Sequence, residues 1–308
     1  MELIRGLQNI RSNHCGCVAT IGNFDGVHLG HQAVLGQLAE KASELGLPTT
    51  LITFEPQPME YFAPDRVPAR LTRFREKILA LQRYSVDRVC CLSFNDKLAK
   101  LSAEDFIEKV LVDKLGVKYL VVGDDFRFGA NRCGTFEMLV EAGKKYGFQV
   151  VSMHTFEIDA ERVSSTRIRA ALEKGKMSSA EKLLGRRYRM SGRVAHGEKL
   201  GRELGFPTAN IHLHRHASPI QGIFIVEVFG LDVEPLQGVA SIGTRPTVNE
   251  TKALLEVYLL DFNQDIYGRH IQVSFLKKLR DEEKFDSLDE LKQQIQLDVE
   301  QAQAYFAA

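Results

Sequence analysis

The chain has 308 residues, 44 % hydrophobic and 26 % charged, which suits about two globular domains with ordinary cores. Forty basic and forty acidic residues give zero net charge, which argues against a general nucleic-acid binder. Met1–Ile10 has no apolar core of signal-peptide length, and no run approaches the roughly 20 apolar residues of a membrane span.

Five cysteines, at 15, 17, 90, 91 and 133, form an odd set in a chain large enough to fold without staples. Reduced thiols in a cytoplasmic protein are the expectation. Neither Cys15-Gly16-Cys17 nor Cys90-Cys91 has the paired CxxC spacing of a zinc site. Both read as small buried apolar residues at strand positions.

In chain order, apolar runs at 17–21, 50–54, 88–92, 119–122 and 149–153 alternate with helical patterns near 30–45, 72–84, 103–115 and 135–146. Such alternation predicts parallel strands with crossover helices, a doubly wound α/β sheet. The pattern changes near 185. Short runs rich in β-branched and aromatic residues follow at 188–194, 222–229, 238–242, 254–261 and 270–275, separated by Gly and Pro. They predict a small antiparallel β-barrel. A terminal helix is expected from Ser287 to about Tyr305, with Ser287 and Glu290 as a capping box. The expected division is 1–184 and 185–308, with short helical segments before the first barrel strand.

Three segments of the first half converge on the carboxyl edge of the predicted sheet, where such folds bind ligands. Gly22-Asn23-Phe24-Asp25-Gly26-Val27-His28-Leu29-Gly30-His31 joins the first strand to a helix. Free N–H groups at a helix N-terminus hold phosphate, and two imidazoles join them there. Val122-Gly123-Asp124-Asp125-Phe126-Arg127-Phe128-Gly129 leaves the fourth strand, and Ser164-Ser165-Thr166-Arg167-Ile168-Arg169 opens a helix after the fifth. Hydroxyls and arginines at a helix start suit a polyphosphate. The alternative for each is local: a structural histidine, a loop contact, an N-cap.

HLGH at 28–31 fits the HxGH signature of the nucleotidylyltransferase superfamily. SSTRIR at 164–169 resembles its ISSTxIR motif, with Val163 in place of Ile. GNFDGVHLGHQ with GDDFRFGANRCG resembles, more narrowly, the bacterial bifunctional riboflavin kinase/FMN adenylyltransferase family, also called FAD synthetase. The resemblance covers essentially the whole chain. It implies that the phosphate of FMN attacks the α-phosphorus of ATP and pyrophosphate leaves. The nucleophile is already anionic, so alignment and charge stabilisation suffice without a base. His28 and His31 are then the catalytic donors. Gly22, Asn23, Phe24, Asp25, Gly30 and Asp125 are ATP contacts, and Ser165, Thr166 and Arg169 hold the β- and γ-phosphates. Mg²⁺ neutralises the leaving group. Asp125 has loop structure as its open alternative. For the flavin, Phe54, Pro56, Pro58, Phe62 and Phe128 offer apolar and aromatic faces, with ordinary loop packing as the alternative.

In the second half, Gly192–Arg202 precedes Leu204-Gly205-Phe206-Pro207-Thr208-Ala209-Asn210. It is no P-loop. It resembles the riboflavin kinase pattern, whose PTAN signature stands at 207–210. The resemblance puts Gly197, Lys199, Gly201 and Arg202 around ATP and makes Thr208 and Asn210 ligands for Mg²⁺ and phosphate. Read without it, the segment is a turn that Asn210 caps. The 5′-hydroxyl of riboflavin is neutral and benefits from a base. Alternation sets Glu256 on one face with Leu254, Tyr258 and Leu260, where a carboxylate is costly without a task. Glu227 has the same pattern, and only the resemblance chooses Glu256. Gly243–Thr247 and Lys278–Phe285 also match family strings. The second is expected to form a flavin-side loop, with Arg280 and Phe285 as contacts. Tyr258 stands where many members carry His, and Val248 where an aromatic is common. His212, His214 and His216 read as a solvated loop.

The expected partners are riboflavin, FMN, FAD and ATP, with no nucleic acid and no membrane, in a monomer or weak homo-oligomer. Two other readings stay open: an enzyme with one degenerate site, and a flavin or nucleotide sensor that binds without turnover.

Overall fold

The computed structural model describes all residues except 124, 154, 155, 198, 199, 214, 216 and 247–250. The chain divides into two compact units, residues 1–67 with 77–163 and residues 68–76 with 164–308.

The first unit is built on β1 (Glu2–Arg5), β2 (Cys17–Ile21), β3 (Thr49–Phe54), β4 (Arg88–Leu92), β5 (Val117–Gly123) and β6 (Gln149–Met153). They form one parallel sheet in the order β1-β4-β3-β2-β5-β6. β1 was not among the expected strands. It carries two apolar residues in four and holds its place by edge pairing with β4. The connecting helices are α1 (Leu29–Leu45), α2 (Pro58–Phe62), α3 (Phe74–Leu81), α4 (Asp96–Ala99), α5 (Ala103–Asp105) and α6 (Phe136–Tyr146). A π-helical stretch over Phe106–Val112 continues α5, so the helix expected over 103–115 is not regular α. A hairpin, β7 (Glu157–Ile158) with β8 (Glu161–Arg162), follows β6.

Both faces of the sheet are covered. Cys17, Ala19 and Ile21 pack with Phe106, Leu111 and Leu139 on one side. Val18 packs with Leu35, Leu38 and Leu81 on the other. Burial on both sides is why the strands read as continuous apolar runs. It also explains Cys17, Cys90 and Cys91, whose thiols are free and buried. Burial pushes Cys17 up to about 11 and Cys90 up to about 12, so both stay protonated. Cys15 departs from the expectation: it precedes the strand and is exposed.

The second unit contains α7 (Ser165–Glu173), α8 (Met177–Leu184), β9 (Arg189–Ala195), α9 (Leu200–Glu203), β10 (Thr208–His212), β11 (Gly222–Phe229), β12 (Leu236–Pro246), β13 (Thr251–Leu259), β14 (His270–Arg280) and α10 (Leu288–Ala307). The strands close an antiparallel barrel in the order β10-β13-β12-β11-β14-β9. Ile211, Phe224, Ile242, Leu255, Val257, Val273 and Phe275 are buried in it. Residues 68–76 dock here. The Glu76 carboxylate accepts from Arg215 (2.6 Å) and from the Ser191 N–H (3.0 Å), and Arg73 donates to the Leu213 carbonyl (2.8 Å).

β10 was not among the expected strands: Asn and Ala are depleted in strands, but pairing with β13 and β9 overrides that, and the alternative of a turn capped by Asn210 falls away. One expectation needs correction. Ser287 does cap α10, accepting from the Glu290 N–H at 3.2 Å. The Glu290 carboxylate, however, accepts from the N–H of Asp286 rather than Ser287, so the box is not reciprocal. Among the described residues no helix is long and apolar enough to cross a membrane.

Candidate active sites

In the first unit the chain reverses direction across the sheet at β2, whose neighbours are β3 and β5. Ligands in open α/β sheets sit outside the carboxyl ends of strands at such a point. The loop from Gly22 to His28 leaves β2 there and α1 begins at Leu29. His28 is the N-cap of α1: its Nδ1 accepts from the His31 N–H at 3.2 Å. That bond places the proton of a neutral His28 on Nε2. His31 stacks on His28 at 3.6 Å between centroids, and Phe24 stacks on His31 at 4.6 Å. A Cβ at Gly30 would press on the His28 ring at 3.2 Å, so glycine lets the imidazole fold over the helix start.

Burial first, then the fields of His28 and Lys77, holds His31 well below the usual imidazole range. His31 is therefore neutral at pH 7 and offers one N–H. Its Nδ1 is buried with no hydrogen-bond partner. Phe24 and Asp25 are buried, while Asn23 is exposed and Gly22 half-buried. Asp125 is exposed and pairs with Arg162 at 3.2 Å. Ser165 and Thr166 open α7 in the second unit. Ser164 caps that helix by accepting from the Arg167 N–H, and Arg169 Nε donates to the Ala69 carbonyl at 2.7 Å.

The predicted aromatics separate into two groups. Phe54 ends β3 and meets Phe94 edge-on at 5.8 Å; Phe62, 62 % exposed, meets Phe94 at 5.5 Å. Tyr61 joins the cluster against both Phe62 and Phe94. Pro56 follows a cis peptide bond and Pro58 opens α2 beside them. Phe128 is elsewhere, packed in the core on Phe106 and Phe126. Sequence reasoning missed Phe94; its signal was a phenylalanine two residues past β4, at the same carboxyl edge.

In the barrel, register assembles the second site. Asn210 on β10, Glu256 on β13 and Ser241 on β12 are direct cross-strand neighbours. Thr208, Tyr258 and Val239 form the next row. The opposite side of β13, with Leu255, Val257 and Leu259, is the buried one. Glu256 thus has apolar neighbours along its strand but polar ones across it. This face lines a cavity of about 280 Å³, whose far wall is Leu291, Ile295 and Val299 of α10. A second cavity of about 250 Å³ is lined by Arg202, Pro207, Phe262 and Tyr267. Thr208 lines both.

The Asn210 carboxamide donates through Nδ2 to the Thr208 carbonyl (3.4 Å), which leaves Oδ1 as an acceptor. A Cβ at Gly197 would run into that carboxamide. Gly201 lines the first cavity, and Lys199 lies outside the described residues. Glu227, the alternative base, accepts from Arg187 at 2.7 Å and lines neither cavity. Lys278–Arg280 are the end of β14 rather than a loop. Arg280 makes a bidentate pair with Asp298 of α10 (2.8 and 3.0 Å) and lies over the Phe285 ring at 5.7 Å. Sequence reasoning missed Ser241 and Asp298. The spacing 291, 295, 298, 302 does set Asp298 on the apolar stripe of α10, where a carboxylate demands a partner. His212 ends β10, and His214, His216 and Val248 lie outside the described residues. Among the described residues no cluster of three His, Cys, Asp or Glu could hold a metal. A hydroxyl and a carboxamide oxygen side by side remain a fit for Mg²⁺, which takes few protein ligands and completes its shell with phosphate and water.

The chain is 52 % identical over 307 residues to a bifunctional riboflavin kinase/FMN adenylyltransferase of Escherichia coli, covering 99 % of this chain and 98 % of that one. It belongs to that family. A protein of the same description from Haemophilus influenzae is also 52 % identical, covering 99 % of each. Family models described as FAD synthetase and riboflavin kinase match residues 10–167 and 184–306. The fold recurs at 32 % identity, with a TM-score of 0.83, in a Streptococcus pneumoniae crystal structure described as a macrolide-efflux protein; the match covers 98 % of this chain and 99 % of that one.

Proposed function

We propose that residues 185–308 phosphorylate riboflavin with ATP, and that residues 1–184 adenylylate the resulting FMN to FAD with release of pyrophosphate. The observation that carries the kinase assignment is the row Asn210, Glu256, Ser241 lining the 280 Å³ cavity, beside Thr208, which lines both cavities. The Glu256 carboxylate accepts the proton of the riboflavin 5′-hydroxyl as its oxygen attacks the γ-phosphorus, and ADP leaves. The cavity with α10 as its wall takes the flavin, with Arg280 and Phe285 at its rim. The Arg202 cavity takes ATP, with Gly197 and Lys199 around it and Gly201 beside Thr208, the residue that lines both cavities. Thr208 and Asn210 would hold Mg²⁺, which when bound neutralises charge on the transferring phosphoryl group.

In the adenylyltransferase the FMN phosphate attacks the α-phosphorus without a base. His28 Nε2–H and the neutral His31 donate to the phosphates as charge builds. The loop from Gly22 to Asp25, Gly30 and Asp125 take the rest of ATP. Ser165, Thr166 and Arg169 hold the β- and γ-phosphates. The Phe54, Pro56, Pro58 and Phe62 cluster supplies a face for the isoalloxazine, while Phe128, packed on Phe106 and Phe126, belongs to the core. We place the enzyme in the cytoplasm as a monomer or weak homo-oligomer, without nucleic-acid or membrane partners. Incubation with riboflavin and Mg-ATP, followed by chromatography of the flavins, tests the reading. FMN and then FAD are expected; FMN alone sinks the adenylyltransferase assignment, and unconverted riboflavin sinks the kinase.

A further inference from the structure

Lys77 of α3 is 0 % exposed and is among the largest fully buried side chains, with Phe224 and Phe275. Its Nζ donates to the Asn23 carbonyl at 2.7 Å and faces Thr53 Oγ1 at 3.4 Å. A buried ammonium loses its hydration, and a fold retains it only where fixed acceptors replace water. A position that merely filled space between α3 and the sheet would suit Leu or Met better. The acceptor it meets is the second residue of the loop that carries His28 and His31.

That loop needs holding. Phe24 and Val27 have positive φ of 49° and 43°, a region that bulky or β-branched side chains adopt only under constraint. Gln32 Nε2 donates to the Val27 carbonyl at 2.9 Å, and His28 is tied to the His31 N–H. Both of those ties come from within or just beyond the motif. Lys77 is a tie from another element, at the end of the loop nearest β2. Its charge also reaches His31: among the described residues, His28 of the loop and Lys77 of α3 act on it, and both disfavour its protonation.

We propose that Lys77 is a positioning residue of the adenylyltransferase, its buried ammonium fixing the Asn23–His31 loop in the strained shape that presents His28 and His31 to the triphosphate. This rests on the adenylyltransferase reading of the loop. The test uses the full chain as Lys77→Met and Lys77→Arg. Measured together are kcat and KM for FAD formation from FMN, FMN formation from riboflavin, and the NMR titration of the His31 ring. For Lys77→Met we expect kcat for FAD to fall about 100-fold, the scale of a displaced catalytic group. KM for FMN should stay within about threefold and FMN formation should be unchanged. His31 should titrate at higher pH than in the parent, and Lys77→Arg should recover at least about tenfold of the lost rate. A Met variant with kcat within about threefold of the parent overturns the proposal. So does an unshifted His31 titration with the Arg variant as slow as the Met variant, which would make Lys77 a packing residue. If the Met chain does not fold, the Arg variant decides: near-parental kcat supports the proposal, and a folded but inactive Arg variant overturns it. A parent chain that makes no FAD from FMN would sink the adenylyltransferase reading instead, while the His31 titration still reports whether Lys77 governs the loop.

Discussion

The two sites are built in opposite ways. The His28 site is one contiguous loop in which donors, cap and glycines lie within ten residues and a helix N-terminus gathers them. The Glu256 site is a patch of sheet, with Asn210, Ser241 and Glu256 drawn from three strands by antiparallel register. The difference follows the chemistry. A nucleophile that is already an anion needs clustered donors, and a helix start supplies them. A neutral hydroxyl needs a base held beside phosphate ligands, and a sheet face can set a carboxylate next to a carboxamide.

The largest effect expected is on the base. Glu256→Gln should lower FMN formation by about 10³-fold while FAD formation from added FMN is unchanged, read by flavin chromatography. Loss of both would erase the distinction between the sites. Next, His28→Ala should lower FAD formation by about 10²- to 10³-fold and spare FMN formation. It should also cost about 1 kcal/mol in thermal unfolding through the lost cap. His28→Asn separates the two roles, restoring the cap without the imidazole donor. Stability regained with the rate still low is the expected pattern.

Third, the barrel site leans on a buried ion pair. Asp298→Ala leaves the Arg280 guanidinium uncompensated and should destabilise the second unit by about 3 kcal/mol, seen in denaturant melts, and raise KM for riboflavin. The smallest effect distinguishes the loop by pH. His31 is held below its ordinary value of 6.5, so its neutral form favours the fold. That stabilisation is present above about pH 6.5 and is lost as the pH falls through His31's lowered native value. The loss amounts to at most about 1.4 kcal/mol per pH unit. Calorimetry of the parent should show the slope, and His31→Gln should flatten it.

Much of the loop site was legible because its information is local. His28, Gly30 and His31 follow an apolar strand and precede a helix, and those are the elements found. Lys77 was not legible. A lysine in a helical stretch reads as solvated, and nothing in 72–84 signals that α3 turns it under the loop. In the barrel, Asn210 and Glu256 were found through motif resemblance. Alternation left Glu227 equal to Glu256 until the structure paired Glu227 with Arg187. Phe128 sits in a loop string like the exposed aromatics, yet packing on Phe106 puts it in the core.

The sequence by itself determined the two-part architecture, most of the strands and helices, and the strand–loop–helix that carries His28 and His31, because periodicity, caps and short motifs act over a few residues. Only the tertiary structure decided which residues meet across strands, which carboxylate faces a cavity, and which lysine is buried. Those depend on register and on helix packing between distant segments, where neighbours in space are not neighbours in the chain.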